Sequence, residues 1–223
     1  MALAIAAEFA PVVTVLSGLA SFTNSVKNIA NRAPAEPKAS LKNNKDRWLV
    51  CTVENKTDFP ILTMASFFSS GRYDDPPKRI DPFSVMTFTC CEGDNTVMQG
   101  VTGGHSFYIN VDHNNHFYLG LGFCNPYIGG YKASVYKPSA KEVKDIQESG
   151  KAQKTVAEKA YDNCNENGNM ITSEWYRAKD VDKKDVVFQF QVSASAGAKP
   201  VYTINEVREY VDEKEHESIV GNN

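Results

Sequence analysis

Trp48-Leu-Val-Cys-Thr-Val53, Glu54-Asn-Lys-Thr-Asp58 and Ile61-Leu-Thr-Met-Ala-Ser-Phe-Phe68 follow one another with no room for a helix between them. The first run alternates and is rich in aromatic and β-branched residues. The second is a polar turn, and the third is strand-like again. The pattern continues toward the C-terminus. Residues 69–77, with the pair Pro76-Pro77, read as a long polar loop, and Ser84-Val-Met-Thr-Phe-Thr-Cys90 alternates up to the turn Glu92-Gly-Asp-Asn95. Residues 97–101, 106–111, 117–123 and 131–136 extend the series. Strands recurring about every ten residues predict a mainly β fold, a sandwich or barrel. The absence of a repeat of about 20–50 residues argues against a propeller or solenoid.

Residues 139–163 break the series with helical spacing. Ser139 and Glu142 have the spacing of a capping box, Val143, Ile146, Val156 and Ala160 mark an apolar side, and Gly150 is a natural break. Two further strands are expected around 171–176 and 186–192, and residues 196–223 read as a charged, solvated tail.

Toward the N-terminus, residues 31–46 hold Pro34, Pro37 and many polar side chains, which predicts a flexible tether. Before it, residues 1–30 read as an amphipathic, membrane-inserting helix. Ile5, Phe9, Val12, Leu16, Leu19 and Val26 recur at helical steps, and Glu8, Ser17, Ser21, Asn24, Lys27 and Asn28 lie opposite. Pro11 is tolerated only at a first helical position. A helix over 11–29 would be about 28 Å long, near the ~30 Å of a bilayer's hydrocarbon. As a secretory signal the stretch lacks a basic start, and Glu8 and Pro11 interrupt its apolar part.

The expected organisation is therefore a helix over 1–30, a tether over 31–46, a β-sandwich over 47–195 that includes helix 139–163, and a tail over 196–223. Twenty-four basic residues face 27 acidic ones, a net charge of −3, so the basic excess of a nucleic-acid binder is missing. The same balance argues against binding driven mainly by anionic lipid. Cys51, Cys90, Cys91, Cys124 and Cys164 are odd in number and irregular in spacing, which fits small buried thiols rather than a disulfide framework. No motif with catalytic mechanics is present, so an enzyme is not expected, nor a cofactor. His105, His113 and His116 are the best metal candidates, but a polar hairpin turn accounts for Asp112-His-Asn-Asn-His116 more simply, and no metal is expected. Asn55-Lys-Thr57 is a glycosylation sequon at a turn.

Aromatic rings stand beside turn residues in Phe67-Phe-Ser-Ser-Gly71, in Asn125-Pro-Tyr-Ile-Gly-Gly-Tyr131 and at Tyr136-Lys137. Rings so placed suit a membrane interface, or stacking on a choline or a sugar; they also suit the plain edge of a sandwich core.

In order and spacing these pieces resemble the actinoporins, the pore-forming cytolysins of sea anemones. Thr52-Val-Glu-Asn-Lys-Thr57, Phe67-Phe-Ser-Ser-Gly71, Gly100-Val-Thr-Gly103, Phe123-Cys-Asn-Pro-Tyr127 and Val135-Tyr-Lys137 carry the resemblance, which covers roughly 45–195. It implies a β-sandwich flanked by two helices, with a mobile N-terminal helix. It implies a phosphocholine headgroup site at Ser70, Gly104, Cys124, Pro126, Tyr127, Tyr131 and Tyr161, Cys124 standing where the family has serine. It further implies a secreted soluble protein that meets membrane lipids of the sphingomyelin type, self-assembles and permeabilises. The same sandwich in fungal fruit-body lectins binds glycans without lysis, which is the alternative. A third reading is an intracellular lipid-binding or regulatory protein, which suits five reduced cysteines.

Overall fold

The computed structural model describes residues 9–30, 36–94, 98–150 and 152–211. The chain begins with β1 (Ala10–Leu16), α1 (Leu19–Ala30) and α2 (Ala39–Asn44). Then come β2 (Trp48–Lys56), β3 (Ile61–Ser70), β4 (Arg72–Asp75), β5 (Ser84–Cys91), β6 (Val101–Asn110), β7 (His116–Asn125) and β8 (Lys132–Tyr136). Helices α3 (Ala140–Ser149) and α4 (Ala152–Asp162) precede β9 (Met170–Thr172), β10 (Tyr176–Asp180), β11 (Asp185–Ser195) and β12 (Val201–Tyr210).

Two sheets form a sandwich, as the short alternating runs predict. One runs β1-β10-β11-β12-β2-β5-β4, with β9 also paired to β11; the other runs β3-β6-β7-β8. Leu49, Val53, Phe88, Phe107, Leu121, Phe123, Phe188, Phe190 and Ile204 are buried between them. Each fully buried side chain of this size contributes about 1.5–3 kcal/mol, and together they fix which face of every strand turns inward. Tyr202 of the first sheet reaches through the core, its hydroxyl donating to the Gly122 carbonyl of the second at 2.6 Å.

Helix α4 lies on the outer face of the second sheet, against β3, β6, β7 and β8. Gly104, Gly120 and Gly122 form its seat. A Cβ at Gly104 would run into the Ala157 carbonyl oxygen, and one at Gly122 into that of Ala160. The helix backbone therefore rests directly on the strand backbone. The stretch 139–163 is two helices: α3 opens with the Ser139–Glu142 capping box and ends at Gly150, whose left-handed φ of 65° suits glycine.

Four expectations are corrected. Residues 11–16 are an edge strand, paired parallel to β10, not the start of a helix. In Pro11-Val-Val-Thr-Val-Leu16 burial follows a period of two: Val12 and Leu16 enter the core, while Val13 and Val15 are 87% and 63% exposed. The β-branched run and the free edge of β10 outweigh the helical spacing. The six expected membrane-facing residues consequently share no stripe. Phe9 precedes β1, Val12 and Leu16 are core residues of a strand, Leu19 is exposed and Val26 half-buried on α1, and Ile5 lies outside the described residues.

The tether is partly folded: residues 36–46 include α2, Leu41 is buried, and Glu36 is paired with both Lys42 and Lys199. The polar stretch after Ser70 contains strand β4. Finally, the expected tail contains β12, a central strand lying between β11 and β2. Its charges hid its pattern. Tyr202, Ile204 and Glu206 are buried, and Glu206 is matched by Arg208 at 2.7 Å. Residues 212–223 lie outside the described ones.

Candidate functional site

One end of the sandwich gathers the end of β7, the start of β8, the start of β6 and the C-terminal end of α4. Between them is a hollow of about 290 Å³, lined by Thr102, Cys124, Pro126, Lys132, Tyr161, Asp162 and Cys164. Small-molecule pockets start at roughly 300 Å³, so this one fits a single compact group. Lys132 is the cross-strand partner of Cys124. Tyr161 is the last aromatic of α4, its ring 5.7 Å from that of Phe67 on β3. A cation, an anion and an aromatic face thus share one cavity.

Three expected site residues, Cys124, Pro126 and Tyr161, line this hollow directly. Ser70 stands behind it: its hydroxyl donates to the Gly100 carbonyl at 2.9 Å and lies 3.0 Å from that of Thr102. Tyr127 and Tyr131 flank the hollow on the β7–β8 loop, 42% and 39% exposed, with Ile128 between them 85% exposed. The Arg47 guanidinium steadies this loop. It lies 5.6 Å above the Tyr127 ring and donates to the Tyr127 carbonyl at 3.1 Å. Gly104 does not line the hollow; it is buried beneath α4 as a helix seat.

Sequence reasoning passed over Thr102, Lys132, Asp162 and Cys164. Two carried a usable signal. Cys164 follows Tyr161 by three residues, the spacing of one helical face, and Lys132 opens the strand that pairs with Cys124. The adjoining Cys164 thiol, aided by Lys132 and opposed by burial, lowers the pKa of Cys124; Cys124, with burial, raises that of Cys164.

The other candidates have structural employment. Asp112 accepts from the amides of Asn114 and Asn115, each at 2.8 Å, and from that of Val13 at 3.2 Å, so the hairpin turn clasps β1. His105 is buried with Nδ1 2.9 Å from the Tyr73 hydroxyl, His116 stacks on Tyr118, and His113 is exposed. Among the described residues no three His, Cys, Asp or Glu side chains are grouped to hold a metal. Asn55 is fully buried and donates to the carbonyls of Phe59 and Asp81, at 2.7 and 3.0 Å, so the sequon presents no accessible acceptor. A larger hollow of 1620 Å³ spans Gly18 to Ser21, the β10–β11 turn and Val211. Its lining is rich in charges.

No known family matches the sequence, and no curated protein matches it either. Among solved structures, the lipid-binding protein Nakanori is similar with 14% identity over 83% of this chain and 80% of its own, at a TM-score of 0.45. The RahU protein, in a complex with Tris, is 12% identical over 73% of this chain and 97% of its own, at 0.36. The lectin XCL of Xerocomus chrysenteron is 8% identical over 72% and 99%, at 0.33.

Proposed function

We propose that this protein binds membranes through a zwitterionic lipid headgroup and permeabilises them, as a secreted cytolysin. The observation that carries the reading is the hollow beside the loop. Lys132 suits a headgroup phosphate, and the Tyr161 ring with the Asp162 carboxylate suits a quaternary ammonium. Tyr127, Ile128 and Tyr131 are where a bilayer surface would meet a protein seated on that headgroup. Phosphocholine is the headgroup class this chemistry matches.

Permeabilisation needs the N-terminal segment. No helix among the described residues is long and apolar enough to cross a membrane, and the 12 residues of α1 span about 18 Å. Residues 11–29 as one helix would span about 28 Å. In this reading β1 leaves the sheet and rewinds, because unpaired backbone groups cost several kcal/mol each in hydrocarbon. Its position favours departure: among the described residues this edge strand pairs with β10 alone, so its loss opens no other described ladder. Several such segments would then assemble around a pore, since a lone helix with a polar stripe is poorly solvated in lipid.

The test uses vesicles of phosphatidylcholine with and without sphingomyelin, following both sedimentation and dye release. Val13→Lys/Val15→Glu alters two exposed side chains whose folded neighbours, Asp112 and Lys179, have the opposite charge. In a membrane-spanning helix each charge costs about 2.5–3.5 kcal/mol. Binding should persist while dye release falls more than tenfold. Undiminished release overturns insertion of this segment. Binding to glycans with no release from any vesicle would establish the lectin alternative instead.

A further inference from the structure

We propose that Cys124 and Cys164 form an oxidisable dithiol site in the wall of the hollow, which a peroxide converts to a disulfide that closes it. Three observations place the two thiols together. Both line the same cavity, one on β7 and one just beyond α4. The bridge between Ala133 and Asn165 lays the residues after α4 along the free side of β8, and the Cys164 sulfur is 3.8 Å from the Ser134 hydroxyl on that strand. On the same strand, Lys132 stands two residues from Ser134, on the same face, and is the cross-strand partner of Cys124.

The chemistry is divided between them. Cys124, whose cross-strand partner is Lys132 and whose pKa the adjoining Cys164 thiol and Lys132 lower against burial, is the nucleophile. Its thiolate attacks one peroxide oxygen, the O–O bond breaks, and the departing hydroxide takes up a proton as water, leaving a sulfenic acid on Cys124. The Cys164 thiol then attacks that sulfur. The S–S bond forms, the S–O bond breaks, and hydroxide leaves with the thiol proton as a second water. Two thiols have given up two electrons and the peroxide has accepted them. The negative charge on Cys124, which adds to side-chain contact and burial in raising the Cys164 pKa, is gone at the second step.

Cys51 and Cys90 provide an internal contrast. They too sit on paired strands, but both are fully buried in the inter-sheet core. Peroxide should reach the pair in the hollow and not the pair in the core. The new bond would tie the end of β7 to the end of α4 across the space a headgroup would occupy. That consequence rests on the headgroup reading above; the dithiol itself does not.

The experiment treats the reduced full-length chain with hydrogen peroxide, digests it with chymotrypsin after blocking free thiols, and identifies cross-linked peptides by mass. Chymotrypsin separates Cys124 from Cys90 and Cys91. The expected product joins the peptides of Cys124 and Cys164, disappears with dithiothreitol, and is absent from Cys124→Ala and Cys164→Ala. Cys51–Cys90 cross-links should appear only in denaturant. Oxidation at Cys51, Cys90 or Cys91 without a Cys124–Cys164 product would overturn the proposal. In parallel, oxidised and re-reduced protein are compared on phosphatidylcholine–sphingomyelin vesicles, with at least a tenfold loss of binding expected on oxidation. If the cross-link forms and binding is unchanged, the dithiol stands, but closure of the hollow and its assignment as the headgroup site both fail.

Discussion

His105 and Glu206 are buried titratable groups whose pH dependences run in opposite directions. Burial lowers the His105 pKa to about 4, so between pH 4 and 6.5 the unfolded chain holds a proton that the folded chain lacks. Its contribution to stability is complete above pH 6.5 and shrinks as pH falls through that window, by about 3 kcal/mol in all. Burial raises the Glu206 pKa to about 7 against the pull of Arg208, so the folded chain keeps a proton that the unfolded one has lost above 4.5. Its contribution is complete below pH 4.5 and shrinks as pH rises toward 7, by a similar amount of about 3 kcal/mol. The two slopes cancel, and stability should be nearly level from pH 4.5 to 6.5. Glu206→Gln removes one slope. Its urea midpoint should then climb between those pH values by the equivalent of about 3 kcal/mol, and an unchanged plateau would contradict the assignment. Arg208 has a separate test: Arg208→Leu strands Asp58 and Glu206 in the interior, which should cost about 3–5 kcal/mol in chemical denaturation.

Among the elements, α1 and α4 are held by different physics. Helix α1 hangs on a few side chains: Arg208 lies 3.9 Å above the Phe22 ring, Phe22 meets Phe83 edge-on at 5.6 Å, and Ile29 is buried. Helix α4 is held by backbone contact through its glycine seat. Gly122→Ala should therefore cost about 1–3 kcal/mol or more through overpacking. It should also shift Tyr161 and weaken vesicle binding, whereas truncating an exposed α1 side chain such as Leu19→Ala should leave the urea midpoint almost unchanged. The elements differ likewise in how well the sequence announces them. β2, β3, β6 and β7 are rich in aromatic and β-branched residues, and the α3 cap is written in Ser139 and Glu142. β1 and β12 were misread for identifiable reasons. In Pro11–Leu16 a strand's period of two coincides with helical steps at Val12 and Leu16, and in β12 the inward Glu206 is polar only until Arg208 is brought beside it. Of the hollow's lining, Cys124, Pro126 and Tyr161 were reached through the family resemblance. Lys132 and Asp162 were not, because a charged residue at an element's end looks like any solvated one until the opposite wall is known.

For the whole molecule, membrane docking is argued from the coincidence of hollow and loop at one end of the sandwich. Ile128 lies at the centre of that loop and is 85% exposed, so nothing in the fold accounts for its side chain. Ile128→Asp should leave the circular dichroism and the urea midpoint unchanged while vesicle binding falls at least tenfold. Lys132→Ala should weaken binding to phosphocholine vesicles several-fold with the loop intact, which separates recognition of the headgroup from adhesion to the surface. Retained binding in both variants would remove this end of the molecule from the docking model.

The seat of α4 also bears on how relatives of this chain are to be found. Side chains in a core can be exchanged for one another as long as volume is conserved, and ancestry fades there first. Where two backbones touch there is nothing to exchange. Gly104, the Gly120-x-Gly122 pair and the small residues Ala157 and Ala160 make a sparse pattern that drift has little freedom to erase. A query built on those five positions and their spacing, ignoring the residues between, would detect kinship in chains whose overall likeness has sunk into noise.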